Sequence, residues 1–122
     1  MKIGIIGLGN PDIPRWEGEK VDELTFEAVG TAARRVVDEI KDQCDVLVAV
    51  AHVGVNAEYD EDNGSDAAAK IVELCPEIDV LMVGHQHITV NETIGTTLVA
   101  GCRNAGREVA RFDLTPDKDN KV

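Results

Sequence analysis

The fold is decided by two apolar runs that each end in histidine: DVLVAVAH at residues 45–52 and DVLMVGHQH at residues 79–87. Continuously apolar runs of this length are typical of parallel strands that are covered on both faces. Parallel strands deliver the residues that follow them to one edge of the sheet, where open α/β sheets bind ligands. All three histidines of the chain, His52, His85 and His87, are therefore expected at that edge.

The segments around these runs alternate between strand and helix patterns. Strands are predicted at three segments: Lys2–Leu8, Asp45–Ala51 and Asp79–Val83. Within Phe26–Gln43, apolar residues recur every three or four positions, which indicates one face of a helix. A second helix is predicted from a cap at Asn63 or Ser65 to Leu74, before Pro76.

The remaining segments are predicted as loops and further strands. Gly9–Asp22 contains two prolines and is predicted to be an irregular loop, and Ala57–Asp66 an acidic loop. Three later segments alternate or run apolar between turns, which indicates a β-meander: Ile88–Ile94, Thr96–Ala100 and Glu108–Leu114. The predicted fold is α/β, a βαβαβ parallel core followed by a β-meander.

Composition restricts the classes of partner. The chain has 12 basic and 23 acidic residues, so its formal net charge is −11. Binding to nucleic acid or to an anionic membrane needs clustered Lys and Arg, so neither partner is expected. No run approaches the roughly 20 apolar residues of a membrane-spanning helix. Cys44, Cys75 and Cys102 lack a C-x-x-C spacing and are expected to be reduced thiols.

The N-terminal Gly7-Leu8-Gly9 follows a strand, as in dinucleotide-binding domains. Their G-x-G-x-x-G fingerprint needs a third small residue for close packing of helix and strand, and that position is Asp12 here. His52 stands where an acidic residue would hold a ribose. A dinucleotide site is therefore the less favoured alternative, and a tight loop is the better interpretation.

The histidines themselves indicate a metal site. Imidazole is the commonest metal ligand in proteins, and three imidazoles at matched strand ends are unusual for a purely structural role. Gly54 and Gly84 flank them and would let the backbone approach closely. We therefore predict that His52, His85 and His87 are metal ligands.

A family resemblance follows from the same residues. Val50-Ala51-His52-Val53-Gly54 and Val83-Gly84-His85-Gln86-His87 resemble the H-x-G and G-H-x-H motifs of calcineurin-like metallophosphoesterases. The resemblance is to the 5′-nucleotidase and 2′,3′-cyclic-nucleotide 2′-phosphodiesterase branch, and it extends over nearly all of Lys2–Leu114. Where that branch has Thr-Thr, this chain has Gly9-Asn10. The resemblance implies a fold that is half of an αββα sandwich.

The resemblance also implies a mechanism and a ligand set. His52 and His85 would bind one ion of a binuclear pair of divalent metals (Mn, Zn, Fe or Mg), and His87 the other. The metals would bridge a hydroxide that attacks the phosphorus of a nucleotide phosphoester substrate.

Several motifs of the family do not occur in the sequence: D-x-H, the G-D of the bridging aspartate, and the G-N-H-[ED] of the leaving-group histidine. Catalytic residues beyond the metal ligands are therefore not assigned. We expect residues 1–115 to be the C-terminal part of a catalytic domain, inactive or very weak in isolation, and residues 116–122 to be a frayed tail. The alternative is a truncated or degenerate metal-binding domain that hydrolyses no ester.

The sequence also bears on the oligomeric state and on the cellular compartment of the protein. Only two predicted helices cover strands that are apolar on both faces, and an open apolar face favours association, so we expect a homo-oligomer. The expected compartment is the cytoplasm for the chain as it stands, or an exported location if a signal peptide precedes it.

Overall fold

The computed structural model describes residues 1–59 and 66–118. Its strands form one five-stranded sheet: β1 (Ile3–Leu8), β2 (Val46–Ala51), β3 (Val80–Val83), β4 (Val90–Ile94) and β5 (Thr97–Gly101). The strand order is β1-β2-β3-β5-β4. β1, β2, β3 and β5 are parallel to one another, and β4 pairs antiparallel with β5. The mixed α/β class with a parallel core is confirmed.

The helices are α1 (Ile13–Glu17), α2 (Val29–Ile40) and α3 (Ala68–Leu74), with 3₁₀ turns at Gly18–Val21 and Lys41–Gln43. The helix predicted within Phe26–Gln43 is confirmed as α2. It packs tightly against α3 at Gly30, where a Cβ would lie 3.0 Å from the Leu74 Cδ1 atom. The predicted caps Asn63 and Ser65, and most of the predicted acidic loop, lie outside the described residues.

The prediction of an irregular loop over Gly9–Asp22 is wrong, because this segment contains α1. The helix begins at Ile13, which places Pro14 in its first turn. Proline is tolerated there, since the first backbone N–H groups of a helix have no intrahelical partner.

The prediction of a third strand in the meander is also wrong. Glu108–Leu114 alternates in sequence, but it forms no strand. Its side chains Phe112 and Leu114 instead pack against Val46, Val48 and Val80 on one face of the sheet. The apolar residues of this segment therefore serve as a cover for the sheet, and the meander is reduced to the β4–β5 hairpin.

The register divides the sheet into two unequal faces. The covered face lies under α2 and α3 and forms the main core: Ile6, Leu47, Ala49, Ala51, Leu81 and Val99. The open face carries the alternate residues, several of which are exposed: Ile3, Ile5, Val50, Met82 and Leu98. No helix in the described ranges is long and apolar enough to cross a membrane.

Candidate metal centre at the histidine edge

The carboxyl ends of three parallel strands meet at one edge of the sheet. Leu8 pairs with Ala51, and Ala51 pairs with Val83, so β1, β2 and β3 end at the same level. The backbone N–H of His52 donates to the carbonyl of Leu8 at 3.0 Å. The N–H of Gly84 donates to the carbonyl of Val53 at 3.1 Å. These bonds join the loops that carry the histidines.

His52 and His85 face each other at this edge. Their ring centroids are 5.2 Å apart, and the rings meet edge to face at 65°. The close approach of the two loops depends on Gly54, where a Cβ would collide with the side chain of Gln86. Gly84 does not have the expected role, because no atom lies near the place of its missing Cβ.

His87 is placed differently. It is exposed, and among the described residues it makes no hydrogen bond or ring contact with His52 or His85. His85 and His87 both have left-handed backbone conformations, with φ of 62° and 56°. Such conformations are strained for residues other than glycine and are concentrated at functional sites. The loop therefore turns sharply at both histidines, while the metal role of all three remains a prediction.

Glu58 is a member of this edge that sequence reasoning did not single out. Its Oε2 atom lies 2.7 Å from the Nε2 atom of His85. The backbone N–H of Glu58 donates to the buried carboxylate of Asp66 at 2.9 Å, which fixes the loop. The available signal was a carboxylate in the loop directly after His52. Several other acidic residues follow Glu58 in Ala57–Asp66, and the sequence does not distinguish Glu58 from them.

Two aromatic rings enclose the same edge. The indole of Trp16, on α1, lies 5.0 Å from the His85 ring between centroids. Its Nε1–H donates to the hydroxyl of Tyr59 at 3.2 Å. The guanidinium of Arg15 lies 4.3 Å above the Tyr59 ring. The helix that the sequence did not predict thus brings an aromatic side chain to the histidines.

Asn10 follows β1 and is only 2% exposed. Its Oδ1 accepts a hydrogen bond from the N–H of Asp12 at 2.8 Å. Its Nδ2 has no hydrogen-bond partner among the described residues. A buried donor without a partner costs free energy, so this amide marks a place where another acceptor would be stabilising.

The side chains at this edge offer atom types that divalent metals bind. Imidazole nitrogen and carboxylate oxygen are ligands of zinc, iron and manganese. For His85 to bind a metal through Nε2, Glu58 must give up its contact. Alternatively, Glu58 orients the ring while Nδ1 binds the ion. Within residues 1–59 and 66–118, no group of three His, Cys, Asp or Glu side chains is arranged to hold an ion. The described residues bring together donors of the right kind, a pair of imidazoles and one carboxylate, and metal binding by them stays a prediction.

Relatives of this chain are phosphoesterases. It is 32% identical over 89 residues to the 2′,3′-cyclic-nucleotide 2′-phosphodiesterase/3′-nucleotidase of Haemophilus influenzae. The match covers 71% of this chain and 13% of that protein. The trifunctional nucleotide phosphoesterase YfkN of Bacillus subtilis is 25% identical over 89 residues, covering 71% of this chain and 6% of that protein. No family model matches the sequence.

Solved structures agree with these relatives. The crystal structure of calcineurin-like phosphoesterase YfkN superposes with a TM-score of 0.69 at 21% identity, covering 81% of this chain and 34% of that one. A Staphylococcus aureus protein with a provisional 5′-nucleotidase assignment superposes with a TM-score of 0.65 at 27% identity, covering 81% of this chain and 21% of that one. The chain thus spans a small part of each protein it matches. Sequence and fold together confirm that it is related to part of the calcineurin-like phosphoesterases of the nucleotidase and cyclic-nucleotide phosphodiesterase kind.

Proposed function

We propose that this chain supplies histidine ligands to a metal-dependent hydrolase of nucleotide phosphoesters, of the 5′-nucleotidase or 2′,3′-cyclic-nucleotide phosphodiesterase type. The observation that carries the proposal is the pair of imidazoles, His52 and His85, at the carboxyl edge of the sheet with 5.2 Å between ring centroids. The names of the Haemophilus relative and of YfkN support nucleotides as the substrate class.

The proposed roles follow from the contacts at the edge. His52 and His85 hold a first divalent ion, and His87 contributes to a second. Glu58, 2.7 Å from the His85 ring, either completes the first site or orients the imidazole. A bound divalent ion would polarise a phosphoryl oxygen as a Lewis acid. Of the four expected metals, Zn and Fe suit the imidazole nitrogens of this donor set, whereas Mn and Mg suit a carboxylate such as Glu58.

The isolated chain is proposed to be inactive or a very weak enzyme. Neutral imidazoles do not offset the charge of two divalent ions, and the sequence lacks the G-D motif that would bring a bridging carboxylate. The second candidate function is a metal-binding domain without hydrolysis. It is favoured by the absence from the sequence of the D-x-H, G-D and G-N-H-[ED] motifs, which leaves no candidate for the bridging carboxylate or the leaving-group histidine.

We also propose self-association through the open face of the sheet. Ile5 is 70% exposed and Ile3 is 53% exposed, on neighbouring positions of the same face. Contiguous exposed apolar surface of this kind is typical of interaction sites.

The hydrolysis test uses the full chain with added Mn²⁺ and 2′,3′-cyclic AMP or p-nitrophenyl phosphate. We expect slow, metal-dependent turnover that the His85→Ala substitution abolishes. Gln86→Ala is the matched control, because Gln86 lies in the same loop but offers no imidazole. Turnover that is equal in the native chain and in His85→Ala would contradict the proposal. Metal binding without any turnover would favour the second candidate for this chain taken by itself.

A further inference from the structure

The aromatic residues of this chain are distributed unusually. Tryptophan and tyrosine each occur once in 122 residues, and aromatic residues make up only 3% of the chain. Neither Trp16 nor Tyr59 belongs to the hydrophobic core, which is aliphatic. Both lie instead at the edge where His52 and His85 meet. Trp and Tyr combine a large apolar ring with a polar group, so they are well suited to half-exposed positions where a ligand binds.

The contacts of Trp16 hold it in place while leaving it accessible. Its Nε1–H donates to the Tyr59 hydroxyl at 3.2 Å, and its ring leans on His85 at 32° between planes. Trp16 is nevertheless 43% exposed. A side chain fixed by its neighbours loses little entropy when a ligand covers it, which favours binding.

Arg15 and Tyr59 extend this surface. The Arg15 guanidinium lies 4.3 Å from the Tyr59 ring centroid, and its Nε donates to the carboxylate of Asp12 at 3.1 Å. Asp12 is itself 6% exposed, so the arginine is anchored to a buried group. The result is a cation–aromatic layer beside the indole.

We propose that Trp16, supported by Tyr59 and Arg15, is a stacking surface for the planar base of a nucleotide. The choice of a nucleotide as ligand rests on the proposed function. The position of the indole supports stacking, because Trp16 is 43% exposed and lies 5.0 Å between centroids from His85, the ring proposed to hold the metal that meets the phosphate. Stacking on an aromatic side chain does not depend on which base is present, because every base has a π face. The surface would therefore distinguish nucleotides from phosphoesters without a base.

The test uses adenosine and the full chain in the presence of EDTA. Trp16 is the only tryptophan, so its fluorescence reports binding at this surface without a label. We expect adenosine to quench the emission saturably and ribose to leave it unchanged. Free N-acetyltryptophanamide, titrated in parallel, corrects for collisional quenching. Because adenosine carries no phosphate and no metal is present, the result does not depend on hydrolysis.

Variants separate stacking from a structural role of the indole. Binding of adenosine, measured by ligand-observed NMR, should be at least about fivefold weaker in Trp16→Ala and largely retained in Trp16→Phe. Circular dichroism confirms that both variants are folded. Equal affinity of Trp16→Ala and the native chain would overturn the proposal. So would the lack of saturable quenching by adenosine in the folded native chain. Loss of metal binding in His85→Ala, measured on the same preparation, tests the proposed function separately, so the two proposals can fail independently.

Discussion

The two faces of the sheet differ in how fully the chain covers them. The covered face lies under α2 and α3, and Leu81, Ala49 and Val99 on it are 0–1% exposed. On the open face, Val46, Val48 and Val80 are buried beneath Phe112 and Leu114, and Ala100 near the histidine edge is also buried. Ile5 and Met82 on the same face are 70% and 38% exposed. The helices therefore exclude water from the covered face alone. The open face keeps apolar side chains that another molecule could cover.

The largest effect is expected for Leu81→Ala on the covered face. Leu81 is fully buried in the main core, so the substitution removes apolar contacts and leaves a cavity. We expect the free energy of unfolding to fall by about 2–5 kcal/mol, measured by urea denaturation. Met82→Ala, one residue along on the open face, is the control and should cost roughly 1 kcal/mol or less. Equal losses for the two variants would show that the faces are not different.

An intermediate effect is expected for Glu77→Gln, in the ion pairs that hold α2 to the segment before β3. The Arg34 guanidinium donates to Glu77 at 2.8 Å and holds the pKa of that carboxyl at about 2, below its ordinary value of 4.5. Because these groups are partly exposed, the loss should be about 1 kcal/mol or less. Glu73→Gln is the control, since within residues 1–59 and 66–118 the ion-pair partner of Glu73 is the exposed Lys70 on the same helix.

The same ion pair predicts a pH dependence. A carboxyl with a lowered pKa contributes stability above its unfolded pKa and loses it as the pH falls through the folded value. The contribution of Glu77 is therefore complete above pH 4.5 and disappears as the pH falls towards about 2. Denaturation at several pH values should show a weaker acid destabilisation in Glu77→Gln than in the native chain. An unchanged slope would contradict this assignment.

The smallest effect on stability is expected for Ile5→Lys on the open face. Ile5 is 70% exposed, so unfolding should change by about 0.5 kcal/mol or less. Its effect on assembly should be larger, because a lysine on an exposed strand opposes pairing with another copy. Sedimentation should show weaker self-association than in the native chain. Val109→Ser, at a 91% exposed residue outside the strands, is the control. A native chain that is monomeric at high micromolar concentration would contradict the proposed homo-oligomer.

Sequence patterns predicted the parts of the fold that depend on local composition. The apolar runs of β2 and β3 could be recognised from their own residues alone. The same holds for α2, whose apolar residues recur with helical periodicity. Glu108–Leu114 alternates like a strand, yet a strand also needs a partner edge, and its apolar residues found the sheet face instead. The sequence does not indicate α1, because the two prolines within Gly9–Asp22 favour a loop, whereas Pro14 lies in the first turn of a helix that begins at Ile13.

The candidate site was predictable only in part. The proximity of His52 and His85 could be predicted, because both follow parallel strands and the carboxyl ends of parallel strands lie at the same edge of a sheet. Glu58, Trp16 and Tyr59 lie in the loop after β2 or on the short helix after β1, so the distances between them depend on the tertiary fold. No local pattern reports that Glu58 ends 2.7 Å from the His85 ring.

Metal binding by the histidine edge tests the central claim most directly. Equilibrium dialysis with Mn²⁺ and with Zn²⁺, followed by elemental analysis, gives the stoichiometry and affinity of the native chain and its variants. We predict binding to the native chain, loss of that binding in His52→Ala and His85→Ala, and an affinity about 10–100-fold weaker in Glu58→Gln. Gln86→Ala should bind as the native chain does. Unchanged stoichiometry and affinity in His52→Ala and His85→Ala would contradict the account.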